Sequence, residues 1–208
     1  MTEPGYVEVR DEPRHHHRFE NEFVRVYEAL IAPGETTLYH RHQEDTFYAA
    51  IAPARVRSQV WNDAEVREGE VAAGRAFCNL HRAEPLIHQV TNVGPTGMRM
   101  LGAEVKASPP DTSSVVLEAP GHELLWEGDR LRIYELVLEP QASLDAVEYG
   151  FCGLTVVLTP SSLQIRDQGG ERMVLRNPGD VAWQSGPRTQ SITNLGTVPY
   201  RALIAEWR

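Results

Sequence analysis

The sequence predicts an all-β chain made of two tandem copies of one β module. Two observations carry this. Short β-rich runs follow one another between Gly, Pro and Asn turns, with no long helical period among them, and such spacing reads as a sandwich or barrel. The second half of the chain also repeats landmarks of the first half in the same order.

The N-terminus, Met1 to Arg10, is polar and lacks the apolar stretch of a signal peptide, so a cytoplasmic protein is expected. His15-His16-His17 follows between Arg14 and Arg18. Alternate residues of an extended segment point opposite ways, so the three cannot easily chelate one ion. The tract is read as an exposed arm with at most adventitious metal binding. The strand-like runs are 23–31, 46–51 and 97–105 in the first half, and 131–138, 154–158 and 200–207 in the second. Ala107-Ser-Pro-Pro-Asp-Thr-Ser-Ser114 has a linker's composition, which places one module at 1–106 and the other at 115–208.

Three collinear matches define the repeat. Val24-Arg-Val-Tyr-Glu-Ala-Leu-Ile-Ala-Pro33 matches Leu131-Arg-Ile-Tyr-Glu-Leu-Val-Leu-Glu-Pro140, Gly69-Glu-Val-Ala72 matches Gly179-Asp-Val-Ala182, and Thr91-Asn-Val-Gly94 matches Thr193-Asn-Leu-Gly196. His40-Arg41-His42 lies between the first two landmarks. Two His separated by one residue on a strand share a face. With His88 from another strand they would give three facial metal ligands and leave positions open for water, substrate or O2. Carried across the repeat, His40, His42 and His88 become Val147, Tyr149 and Gln190. One metal site is therefore expected, in the first module. Asn92 recurs as Asn194, which argues for a turn role.

The pattern Gly34-x5-His40-x-His42, then Gly69-Glu70, then His88-x3-Asn92 resembles the two cupin motifs, and the duplication resembles a bicupin over nearly the whole chain. The resemblance implies two jelly-roll β-barrels with a metal in the mouth of the first. Cupins usually place Glu four residues after the second His; here Thr46 stands there. A three-His site is expected, with Glu44 as a reserve ligand and the Thr46 hydroxyl toward bound water or substrate. Three neutral imidazoles leave a more positive site than two with a carboxylate, favouring an anionic or enolate substrate. The resemblance is then to the three-His cupin dioxygenases, which use Fe(II). Spacing alone does not choose among Fe, Ni, Mn, Zn and Cu.

Around the site, Tyr48 is even-spaced from the His pair and should face the interior, where its phenol would reach substrate. The segment from Gly69-Glu70 to His88 is longer than its counterpart before Gln190 and reads as a lid or recognition element. It contributes His81 as an acid/base or alternative ligand, and Arg75 for a substrate carboxylate. Cys78 and Cys152 are read as thiols, since two cysteines make no disulfide framework.

The 208 residues carry a formal net charge of −9, with no basic stripe and no long apolar run. Nucleic acid and membrane are not expected partners; a small-molecule substrate is, and a homodimer through sheet edges is compatible with the pattern. The leading expectation is an Fe(II) oxygenase acting on a small anionic molecule. The alternatives are a metal-dependent isomerase, epimerase or lyase, with the ion as Lewis acid, and a non-catalytic small-molecule-binding module.

Overall fold

A computed structural model of the protein describes residues 5–110 and 115–208. Residues 111–114 of the expected linker lie outside the described residues. The chain divides into two compact units, Met1–Ala107 and Ser108–Arg208. No described helix is long and apolar enough to cross a membrane.

The first unit holds β1 (Val7–Glu8), a single 3-10 turn (Val9–Asp11), β2 (His15–Glu20), β3 (Val24–Ile31), β4 (His40–His42), β5 (Thr46–Ala50), β6 (Ala54–Val60), β7 (Val66–Val71), β8 (Ala76–Asn79), β9 (Leu86–Asn92) and β10 (Met98–Val105). The strands form two sheets, β1-β4-β9-β6-β7 and β2-β3-β10-β5-β8. The second unit holds β11 (His122–Glu127), β12 (Leu131–Leu138), β13 (Ser143–Tyr149), β14 (Gly153–Val157), β15 (Ser161–Asp167), β16 (Gly170–Arg176), β17 (Val181–Gln184), β18 (Arg188–Asn194) and β19 (Tyr200–Trp207). Its sheets are β11-β12-β19-β14-β17 and β13-β18-β15-β16. Each unit is a two-sheet barrel, as the run spacing predicts, and a jelly roll, as the cupin resemblance implies.

Strand pairing confirms the repeat and corrects one match. His40 pairs with His88 as Val147 pairs with Gln190. The Asn92 side chain donates to the carbonyls of Ile31 and Thr96 and accepts from the Gly94 amide, and Asn194 repeats this with Leu138, Val198 and Gly196. Both asparagines tie a turn, as expected. Gly69, however, is not the counterpart of Gly179. Gly69 sits inside β7, paired with Val56. The counterpart is Gly74: both glycines have positive φ, 81° and 90°, and each amide donates to the carbonyl of the last residue of an inner strand, Ala50 of β5 or Val157 of β14. A positive φ is cheap only for glycine, so the turn fixes the register more firmly than the Gly-acid pair did.

With that register, the expected lid shrinks. β8 pairs with β5, as β17 pairs with β14, so residues 76–79 are sheet. The extra length is confined to the turn between β8 and β9, residues 80–85, against 185–187 in the second unit. That longer turn carries His81.

The two interiors differ in filling. In the second unit Leu136, Val147, Tyr149, Leu163, Ile165 and Ile192 belong to one buried cluster. The corresponding positions in the first unit are Ala29, His40, His42, Val56, Ser58 and Val90. Smaller and polar side chains leave a cavity of about 190 Å³ in the first barrel, against about 60 Å³ in the second.

Candidate metal centre

β4 and β9 bring His40, His42 and His88 together. One ligand nitrogen from each lies within 4.8 Å of the others, and the Nε2 atoms of His42 and His88 are 3.1 Å apart. Nitrogens bound about 2.1 Å from a shared ion at right angles would stand about 3 Å apart, the spacing of the His42–His88 pair; the widest spacing of the set, up to 4.8 Å, closes by a small side-chain shift when one divalent ion is bound. His40 and His42 are 1% and 3% exposed.

Each ring is held by its other nitrogen. His40 Nδ1 donates to the Leu38 carbonyl at 2.9 Å. His88 Nδ1 is 3.1 Å from the Ser58 hydroxyl, and His42 Nδ1 is 3.2 Å from the Tyr48 hydroxyl. The Leu38 carbonyl can only accept, so it selects the His40 tautomer whose Nε2 lone pair is free for a metal, while the two hydroxyls orient the rings of His88 and His42. The second barrel loses this support with the ligands: Ile165 stands at the Ser58 position and Thr155 at the Tyr48 position.

His81 completes a chain of polar groups. Its ring stacks on His42 with centroids 4.8 Å apart, and its Nε2 is 3.3 Å from the Tyr48 hydroxyl. Its other nitrogen bonds the Glu84 backbone. The structure thus brings Tyr48 and His81 beside the three His. Their order, His42 to Tyr48 to His81, gives a path along which one proton can shift.

Four expectations fail. Glu44 lies in the turn after β4, where strand alternation has ended, and its carboxylate faces Arg82 at 3.9 Å rather than the histidines. It is no reserve ligand. Thr46 is fully buried, but its hydroxyl donates to the Glu44 carbonyl at 2.8 Å and does not line the cavity. Arg75 precedes β8 on the exposed side, with its guanidinium 5.8 Å from the Phe77 ring, and does not line the cavity either. The His15–His17 tract is not a loose arm: it opens β2, and His15 packs on Tyr27 and His40 at centroid distances of 4.6 and 4.8 Å. Its Nδ1 bonds the Val9 carbonyl. His16 and His17 are exposed.

Burial keeps these rings neutral. It pushes His15 and His88 down to about 3, and lowers His40 and His42; neighbouring imidazoles add to the effect on His15, His42 and His88. In the unfolded chain the same groups titrate near 6.5. The unfolded state thus binds more protons between those values, and stability is lost as pH falls from about 6.5 toward 3. The thermal midpoint of the metal-free protein is expected to fall over this range, with a shallower slope in His15→Leu. An unchanged slope in that variant would show that His15 does not take part.

No family model matches the sequence, and no curated protein does. The fold has solved counterparts. Oxalate decarboxylase from Bacillus subtilis, as its S161A mutant, superposes with a TM-score of 0.59 at 14% identity over 96% of this chain and 76% of that one. The Lactobacillus farciminis oxalate decarboxylase formate complex gives 0.60 at 11% identity over 97% and 85%. AerE from Microcystis aeruginosa gives 0.57 at 11% over 95% and 98%. Two jelly rolls, one holding three convergent imidazoles, are the bicupin arrangement, and this chain has the bicupin fold with a cluster suited to a divalent metal. At these identities the likeness shows the fold alone.

Proposed function

We propose that the first barrel is the active site of a mononuclear metal enzyme, and that it oxygenates a small molecule that chelates the metal. The observation that carries this is the convergence of three Nε2 donors, each ring braced through Nδ1, at the wall of a cavity the second barrel has filled. A divalent ion there supplies a Lewis acid and, if it is iron, a redox centre. Neutral ligands leave its charge uncompensated by protein, so an anionic head group is drawn to it. His40, His42 and His88 would hold the ion. Tyr48 and His81 would hold or release a proton beside the substrate. The apolar remainder of the lining would keep bulk water out.

A second reading is a lyase with the ion as Lewis acid only. It is favoured by the structural likeness to oxalate decarboxylases, one of which is described with Mn(II) centres, and by the His81–Tyr48 pair as proton donor. Oxygen separates the two readings. The Fe(II)-loaded protein is expected to consume O2 only with a substrate present, and to stop turning over under anaerobic conditions. Equal turnover without O2, or with redox-inert Zn(II) in place of Fe(II), would overturn the oxygenase reading for the lyase.

A further inference from the structure

The cavity that holds the three histidines contains no charge of its own. Among the described residues, its lining includes no Lys, Arg, Asp or Glu. Its polar side chains are the imidazoles, two phenols, two hydroxyls and an amide. The rest of the wall is apolar, with Ile31, Val56, Leu86, Val90, Met98 and Met100 prominent. Arg75, the cation the sequence offers for a substrate carboxylate, is outside it.

Size sets a second limit. A cavity of about 190 Å³ slightly exceeds the roughly 150 Å³ of an engineered cavity that binds benzene. It takes a molecule of roughly six to ten non-hydrogen atoms. Dicarboxylates of that size fit by volume, so charge decides between them and their apolar-tailed analogues. One carboxylate or enolate can meet the metal. A second would be buried with no cation beside it, and an unpaired buried charge is strongly disfavoured.

Tyr27 supplies a third observation. It is 2% exposed and lines the cavity, and its hydroxyl has no hydrogen-bond partner among the described residues. The Tyr48 phenol lies beside it and interacts with it, but no hydrogen bond of full geometry joins the two. The counterpart in the filled barrel, Tyr134, donates to Glu206 at 2.8 Å. The difference follows from the strand opposite: Tyr27 pairs with Gly102, Tyr134 with Ile204. A Cβ at Gly102 would stand 2.6 Å from the Tyr27 hydroxyl, so only glycine lets that phenol lie where it does. A buried donor with only a neighbouring phenol beside it in the open barrel, and a carboxylate acceptor in the closed one, points to an acceptor on a ligand.

Resting on the metal-enzyme reading above, we infer that the substrate has one oxygen-chelating head of at most one negative charge and an apolar tail, accepts a hydrogen bond from Tyr27, and is not a dicarboxylate. The head occupies the metal; the tail lies against the Ile31, Met98 and Met100 side.

Three 2-oxo acids with the same head test this: pyruvate, 2-oxohexanoate with an apolar tail, and 2-oxoglutarate with a carboxylate tail. Zinc uptake by the wild-type protein is measured first, and then the binding of each acid to the zinc-loaded protein by calorimetry. 2-Oxohexanoate is expected to bind about 50-fold more tightly than pyruvate through its three added methylenes, and at least about 100-fold more tightly than 2-oxoglutarate. Tyr27→Phe is expected to weaken 2-oxohexanoate about tenfold; an unchanged affinity would overturn that contact. Equal or tighter binding of 2-oxoglutarate, or binding of none of the three with zinc in place, would overturn the substrate class and leave the metal site standing. No zinc uptake would overturn the metal-enzyme reading itself, and the substrate class with it.

Discussion

His42→Ala is expected to leave the protein folded, without metal and without activity. His42 is the hub of the cluster: its Nε2 stands 3.1 Å from that of His88, its Nδ1 meets Tyr48, and its ring stacks on His81. Removing a residue that merely orients a ligand costs roughly 10–100-fold in metal affinity, so removing one ligand of three should cost more than about 100-fold. The fold should survive because the ring borders an existing cavity, so its loss enlarges a space the barrel already tolerates. Metal content, measured by elemental mass spectrometry on protein made without a histidine tag, reads the effect directly. His16→Ala is the control, since His16 is an exposed neighbour in β2. Full occupancy in His42→Ala would sink the ligand assignment; equal loss in the control would assign the metal to the His15–His17 tract.

The sequence exposed the metal cluster because strand alternation is a strong rule where a strand is regular. His40 and His42 lie on three residues of continuous β4, and the rule holds. It fails two residues later, because 43–45 turn between β4 and β5 and parity carries no meaning in a turn. That is why Glu44 and Thr46 were misplaced. Arg75 failed for a related reason: a loop position gives no information about facing, and Arg75 directly follows the positive-φ turn at Gly74. His81 was legible as a candidate only because an extra segment drew attention to it; its stacking on His42 depends on a turn geometry no pattern encodes.

His15 was missed although a signal existed. Its position in the second copy, at the offset of 107 that relates Val24 to Leu131, is His122. His15 pairs with Ala29 on β3, and His122 with Leu136 on β12. A histidine kept in both copies, with and without ligands, is a brace and not a ligand. His122 confirms the role in its own barrel: its two nitrogens bond the Pro120 carbonyl and the Tyr149 hydroxyl, with Tyr149 standing where His42 stands in the first. Comparing the copies thus separates scaffold from chemistry: Asn92, His15 and the Arg25–Glu104 ion pair recur, as Asn194, His122 and Arg132–Glu206, while the imidazole ligands, Ser58 and Gly102 do not.

Gly102→Ala is expected to damage the site through packing alone. Gly102 pairs with Tyr27 on one side and Tyr48 on the other, at the centre of its sheet. An alanine Cβ would stand 2.3 Å from Tyr27 Cζ, closer than carbon atoms can approach. The strands cannot part without breaking the ladders that β10 makes with β3 and β5, so the phenol must move. It is packed on His15, which is packed on His40, so a shift of Tyr27 reaches a metal ligand through two ring contacts. Overpacking of this kind costs about 1–3 kcal/mol, and here part of the cost should appear as weaker metal and ligand binding. Denaturant unfolding and zinc titration of Gly102→Ala measure the two effects. Tyr27→Leu removes the far end of the ring, so the double variant should be more stable than the sum of the singles by at least about 0.5 kcal/mol. Strict additivity would mean that Tyr27 and Gly102 do not share that space, and the glycine would then need another reason for lying between the two tyrosines.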